Sequence, residues 1–220
     1  MFDSQKEYGL AAERDVAAIF DALGYEATII DKPNTVDSPG GPKFVTRGHQ
    51  YDAPDIVLCR AKPFIMRYVQ VKRTQTCLWY ESHLSWRVGM NYEQYLKYCD
   101  ANARSRVELL VVYVIDGGLN PKYKNPSPSG KFVQEFSILQ KCIEEDKKEP
   151  DRMKRMTDIN PPLNEKRSAD GQVSIINPGD SVEISDKAEK KDRMVYWDLR
   201  IFDDLYKWHA SSDRKALKTK

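Results

Sequence analysis

Apolar residues recur at helical spacing near the start of the chain. Ala12, Val16, Ile19, Phe20 and Leu23 fall on one stripe, with Arg14, Asp15 and Asp21 away from it. The pattern predicts an amphipathic helix over residues 4–23, with Ser4 placed to cap it, Glu7 three residues on, and Gly24 to end it. Residues 25–30 read as a strand. A Pro-, Gly- and Asp-rich stretch over residues 32–50 predicts an irregular loop. Residues 55–59 are a short, nearly continuous apolar run and residues 64–72 a second one rich in β-forming residues; a turn at residues 60–63 makes them a hairpin. A helix over residues 92–103 and a buried strand over residues 108–115 (ELLVVYVI), stopped by Asp116-Gly117-Gly118, complete the order helix, strand, strand, strand, helix, strand.

Beyond Gly118 the pattern weakens. Residues 120–130 hold three prolines and residues 161–191 are polar apart from an apolar patch at 173–176, so both stretches read as loops. Between and after them the pattern suggests a strand over 131–139, a charged surface helix over 140–156, and a last strand over 194–199 leading into a short helix from Asp203. The organisation expected is a core over residues 1–118 with an extension over 119–220 packed on it.

Composition narrows the class of protein. Hydrophobic residues make up 40% and charged residues 31% of 220, which describes a globular chain. The net charge of +2 excludes a uniformly basic coat, so a nucleic-acid site has to come from local clustering of Lys and Arg. Cys59, Cys77, Cys99 and Cys142 form no CxxC pair and no cluster with His49, His83 and His209, which argues against zinc. With no leader pattern and no long apolar run, the expectation is a reduced, cytoplasmic protein that does not enter a membrane.

The strongest chemical signal is Pro54-Asp55 followed by Gln70-Val71-Lys72. Side chains alternate along a strand, so Gln70 and Lys72 share one face while Val69 and Val71 take the other. A hairpin of this length brings Asp55 to the end where those two side chains emerge. A carboxylate from Asp55, the Gln70 amide oxygen, the Val71 carbonyl and water make an oxygen shell of the kind Mg²⁺ prefers. Lys72 beside such a cation suits activation of a water and offsetting of charge in a phosphoryl transition state. Glu13, at the flank of the first helix's apolar stripe, is placed to add a carboxylate directly or through water.

These residues carry a resemblance. The Gly9-Leu-Ala-Ala-Glu13 helix, Pro54-Asp55, the QVK tripeptide followed by Thr74, and the later helix and strand resemble the PD-(D/E)XK nuclease superfamily over roughly residues 7–115, closest in general impression to phage or mobile-element members and to Holliday-junction-resolvase-like ones. The resemblance implies an α/β, restriction-endonuclease-like core in αβββαβ order, with a central mixed β-sheet flanked by helices. It also implies Mg²⁺-dependent phosphodiester hydrolysis, Mn²⁺ substituting, with Glu13, Asp55, Gln70 and Lys72 at the motif positions. Gln70 departs from the pattern, standing where a carboxylate is usual. Either the site works with fewer charges or only DNA binding remains.

For contacts to DNA, residues 72–87 interleave Arg73, Trp79, Tyr80, His83, Trp86 and Arg87, a mixture suited to phosphate contacts and base stacking. Gln94 and Tyr98 form a Gln-x-x-x-Tyr pattern one helical turn apart, which some exonuclease-type members of the superfamily carry. The expectations are therefore a metal-dependent DNA endonuclease, with a catalytically inactive DNA-binding protein on the same fold or a DNA-end exonuclease as alternatives. A homodimer is compatible, because one such core carries one hydrolytic site and cutting both strands takes two.

Overall fold

The computed structural model describes residues 2–30, 43–46, 49–80, 84–119, 126–148, 157–160, 165–167, 173–175 and 194–218. Helix α1 (Phe2–Ala22) buries Ala12, Val16, Ala17 and Phe20. It starts ahead of Ser4, which therefore lies inside its first turn and not at the cap. Gly24, with φ +84°, adopts the left-handed conformation that stops the helix without a Cβ penalty. The chain continues through β1 (Glu26–Ile29), β2 (Lys43–Thr46), β3 (His49–Asp52), β4 (Ile56–Ala61), β5 (Phe64–Thr74), β6 (Leu78–Tyr80), β7 (Ser85–Asn91), α2 (Tyr92–Arg104) and β8 (Glu108–Ile115). The expected succession is thus interrupted by two hairpins. The loop expected over residues 32–50 contains the antiparallel pair β2–β3, with Phe44 opposite Tyr51 and Val45 opposite Gln50.

After β8 come β9 (Gly130–Glu135), α3 (Phe136–Lys148), β10 (Thr157–Asn160), β11 (Glu165–Arg167), β12 (Val173–Ile175), β13 (Met194–Asp198), a 3-10 turn (Leu199–Ile201), β14 (Asp203–Asp204) and α4 (Leu205–Lys218). The strand expected over residues 131–139 ends at Glu135, because Phe136, Leu139 and Ile143 bury one stripe of a helix instead. The helix expected over 140–156 accordingly begins four residues earlier; residues 149–156 lie outside the described residues. The polar stretch expected as loop over 161–191 contains the short pair β11–β12.

Six strands form a mixed central sheet in the order β1-β4-β5-β8-β9-β14. β1, β4 and β5 are antiparallel neighbours, and β5 pairs in parallel with β8, with Gln70 opposite Val111 and Lys72 opposite Tyr113. A parallel pair needs a crossover, supplied by β6, β7 and α2. β8 sits in the middle with seven of its eight residues buried, which is why it reads as a continuous apolar run.

Two hydrophobic cores lie on the two faces of this sheet. On one, Ala12, Val16 and Phe20 of α1 and Leu205 and Trp208 of α4 pack on Ile56, Leu58, Val69, Val71, Leu110 and Val112. On the other, Tyr95 and Tyr98 of α2, Phe136, Leu139 and Ile143 of α3, and Val88, Val195 and Trp197 of a second sheet cover Leu109, Val111 and Tyr113. The second sheet has the order β10-β13-β7-β6 and joins strands from both halves of the chain. β9, β13, α3 and α4 all come from residues beyond 118, and they contribute to the same two cores as the residues before it. Among the described residues, no helix is long and apolar enough to cross a membrane.

Candidate functional site

Alternation along β4 and β5 sets the site. Ile56 and Val69 are cross-strand partners on the α1 face. One residue outward on each strand, Asp55 and Gln70 turn to the opposite face, and Lys72 follows Gln70 there. Asp55 is 3% exposed and Gln70 6% exposed. The backbone of Asp55 is fixed on both sides: its N–H donates to the Val69 carbonyl (3.0 Å), and its carbonyl accepts from the Ile30 N–H (2.9 Å). Its carboxylate accepts two hydrogen bonds on the same oxygen, Oδ2, from the Val71 N–H (2.7 Å) and from the Gln70 side-chain amide. Asp55 and Gln70, 15 residues apart in sequence, are therefore in direct contact, and Lys72, half-buried, stands on the same strand face.

Glu13 is half-buried on α1, beside Ala12 and one turn before Val16 and Ala17, all buried on the sheet. Among the described residues, no group of three or more His, Cys, Asp or Glu side chains is placed to hold a metal ion. The chemistry of the donors nonetheless fits a hard cation. The set expected from sequence has only two carboxylates, Glu13 and Asp55, its other members being the neutral oxygens of Gln70 and Val71. Val71 suits the part, because the N–H and C=O of one strand residue point the same way and its N–H addresses Asp55.

The residues expected to touch DNA divide into several groups. Arg73 points to the other face of β5, where its guanidinium pairs with Asp116 (3.0 Å), stacks 3.9 Å from the Tyr8 ring centre and donates to the Tyr8 carbonyl (3.3 Å). Tyr8 donates from its hydroxyl to Asp116. Burial alone raises the Asp116 carboxyl, but the hydrogen bonds from Tyr8 and Arg73 outweigh it and hold the group below its ordinary value. Asp116 is brought into reach by the parallel register, which sets Thr74 opposite Ile115; from sequence it reads only as a strand stop.

Arg87 corrects the sequence reading. It is 1% exposed, with its guanidinium 4.2 Å from the Tyr80 ring centre, so it is not a surface contact. β7 is an inner strand of the second sheet, and Arg87 lies opposite Asp198 of β13. Asp198 is fully buried. Desolvation raises its carboxyl, yet hydrogen bonds from Arg200 and Ser85 bring it below the ordinary range. A buried arginine beside a buried carboxylate belongs to the interior. The same holds for Tyr98, 8% exposed and edge-on to Phe136 at 5.8 Å, while Gln94 on the first turn of α2 is half-buried.

Trp79 and Trp86 are cross-strand partners on the β6–β7 hairpin, edge to face at 5.0 Å and both half-buried, Trp86 packing on the second core. His83 lies outside the described residues.

The fold is a mixed α/β one, with a central mixed sheet flanked by helices. No model of a known protein family matches the chain, and no curated protein matches it. Among solved structures it is similar to the Holliday junction resolvase Hjc of Archaeoglobus fulgidus, an archaeal hyperthermophile, at 13% identity and a TM-score of 0.37, over 59% of this chain and 78% of that one.

Proposed function

We propose that the protein is a metal-dependent deoxyribonuclease of the restriction-endonuclease-like class, an endonuclease hydrolysing phosphodiester bonds with Mg²⁺, for which Mn²⁺ substitutes. The observation that carries the reading is the convergence of Asp55, Gln70 and the Val71 backbone, with Lys72 next on the same strand face. Asp55, the Gln70 amide oxygen and the Val71 carbonyl would hold the cation; Glu13 stands on α1, which covers the other face of the sheet, and would add its carboxylate through water around the end of the strands. The cation supplies Lewis-acid polarisation of the phosphate and lowers the pKa of a bound water.

The rest is the chain's own work. Lys72 donates hydrogen bonds to the attacking water or to a phosphate oxygen and offsets negative charge as it grows on the phosphorus oxygens. Backbone bonds to Val69 and Ile30 keep Asp55 from swinging away as the phosphate arrives. The β6–β7 hairpin leaves β5 only a few residues after Lys72, so Trp79, Tyr80 and Trp86 are the residues we assign to DNA, together with Gln94 in the first turn of α2. Two copies related by two-fold symmetry would cut both strands in one encounter.

A second reading has its own support. Gln70 hydrogen-bonds Asp55 directly, so a neutral donor stands against the buried carboxylate, as in a protein that binds DNA without cutting it. Supercoiled plasmid, a four-way junction and linear duplex, each incubated with Mg²⁺, Mn²⁺ or chelator, separate the two. The nuclease nicks plasmid only with metal, and Lys72→Ala abolishes nicking while keeping DNA binding. Absence of cleavage with either metal leaves the binding protein.

A further inference from the structure

We propose that Gln70 is a metal-free clasp on Asp55, which makes it the residue that sets how the site takes a cation; the identity of the cation rests on the nuclease reading above. Asp55 and Gln70 are both more than nine-tenths buried, and the amide donates to the carboxylate. A side-chain amide has both a donor end and an acceptor end. With its donor end inward it satisfies Asp55; with its oxygen inward it becomes a cation ligand. A glutamate at this position has acceptors only, so two buried carboxylates would repel each other until a cation bridged them. Gln70 therefore lets the site fold closed without metal.

The consequence for binding is competition. A cation has to displace the Gln70 hydrogen bond and gains one negative charge fewer than a site with glutamate provides, so the protein alone holds it loosely. Phosphate oxygens of the bound nucleic acid supply the missing ligands, and cation and DNA enter together.

Thermal unfolding of the full chain in chelator and at one fixed concentration of Mg²⁺ or Ca²⁺, the same for every variant, tests this without any cleavage. Wild type melts within about 1 °C in the two conditions, as a loosely held ligand requires. Gln70→Met, similar in size but without donor or ligand oxygen, loses about 5 °C in chelator and gains nothing from cation. Gln70→Glu loses a similar amount in chelator, and cation restores it. The clasp is overturned if Gln70→Met melts like wild type, or if Gln70→Glu is indifferent to cation or stays unfolded in it. The two readings fail separately. The predicted shifts in a protein that cuts no DNA sink the nuclease and keep the clasp; metal-dependent cutting with an unperturbed Gln70→Met does the reverse.

Discussion

Two polar clusters stand at the same end of β5, on opposite faces, and they are held together differently. On the α1 face, Arg73 and Asp116 are opposite charges in mutual contact, backed by the Tyr8 ring and hydroxyl. On the other, Asp55 is held by two neutral donors, an amide side chain and a backbone N–H. The first cluster is complete in itself and ties α1 to the ends of two parallel strands. The second keeps a buried carboxylate oriented by groups that a cation can replace, and it is there that we propose the site.

The largest effect should come from breaking the second cluster. Asp55→Ala leaves the Gln70 amide and the Val71 N–H buried without their acceptor, at a cost of about 2–4 kcal/mol. That corresponds to a fall in Tm of about 5–10 °C, and plasmid nicking should disappear with it. Next, Lys72→Ala should slow nicking by about 100-fold or more while the melting temperature moves by no more than about 2 °C. Equal losses of stability and cleavage would place Lys72 in the framework instead.

Asp116→Asn, which breaks the first cluster, should cost about 0.5–1 kcal/mol, shrink in high salt and leave nicking within about threefold. Its pH dependence has a definite sign. A carboxyl held below its ordinary 3.8 stabilises the fold fully above that value, and the contribution fades as pH falls through the folded value. The melting difference between Asp116→Asn and wild type should therefore be flat between about pH 5 and 7 and close up in acid below about pH 4. A difference that widened in acid would remove Asp116 from the role given to it.

The meeting of Asp55 with Gln70 was legible because a hairpin and a two-residue alternation are local rules, and Ile56 and Val69 obey them. The fate of Arg87 was not. Residues 72–87 mix charge and aromatics in a way that suits a surface, whereas the burial of Arg87 depends on β13, more than 100 residues later, arriving beside β7. Trp86, Val88 and Met90 do alternate, a local signal that could have placed β7. Tyr98 is similar: its helix was readable, but Phe136, the ring it packs against, belongs to a helix whose start was obscured because β9, with Phe132 and Val133, runs straight into it. Pairings set by sequence neighbours could be read, and those set by distant elements could not.

One layer of the sheet is closed by the residues translated last among those described. Phe20 packs edge-on to Trp208 at 6.2 Å, the Arg67 guanidinium lies 4.9 Å from the Trp208 ring centre, Leu205 is fully buried, and β14 pairs with β9. A nascent chain leaving the ribosome thus carries α1 with part of its oily side uncovered until residues 203–208 emerge. Completion of that layer waits for residues 203–208 to be made, and interruption shortly before them leaves a sticky, aggregation-prone fragment instead of a smaller working protein.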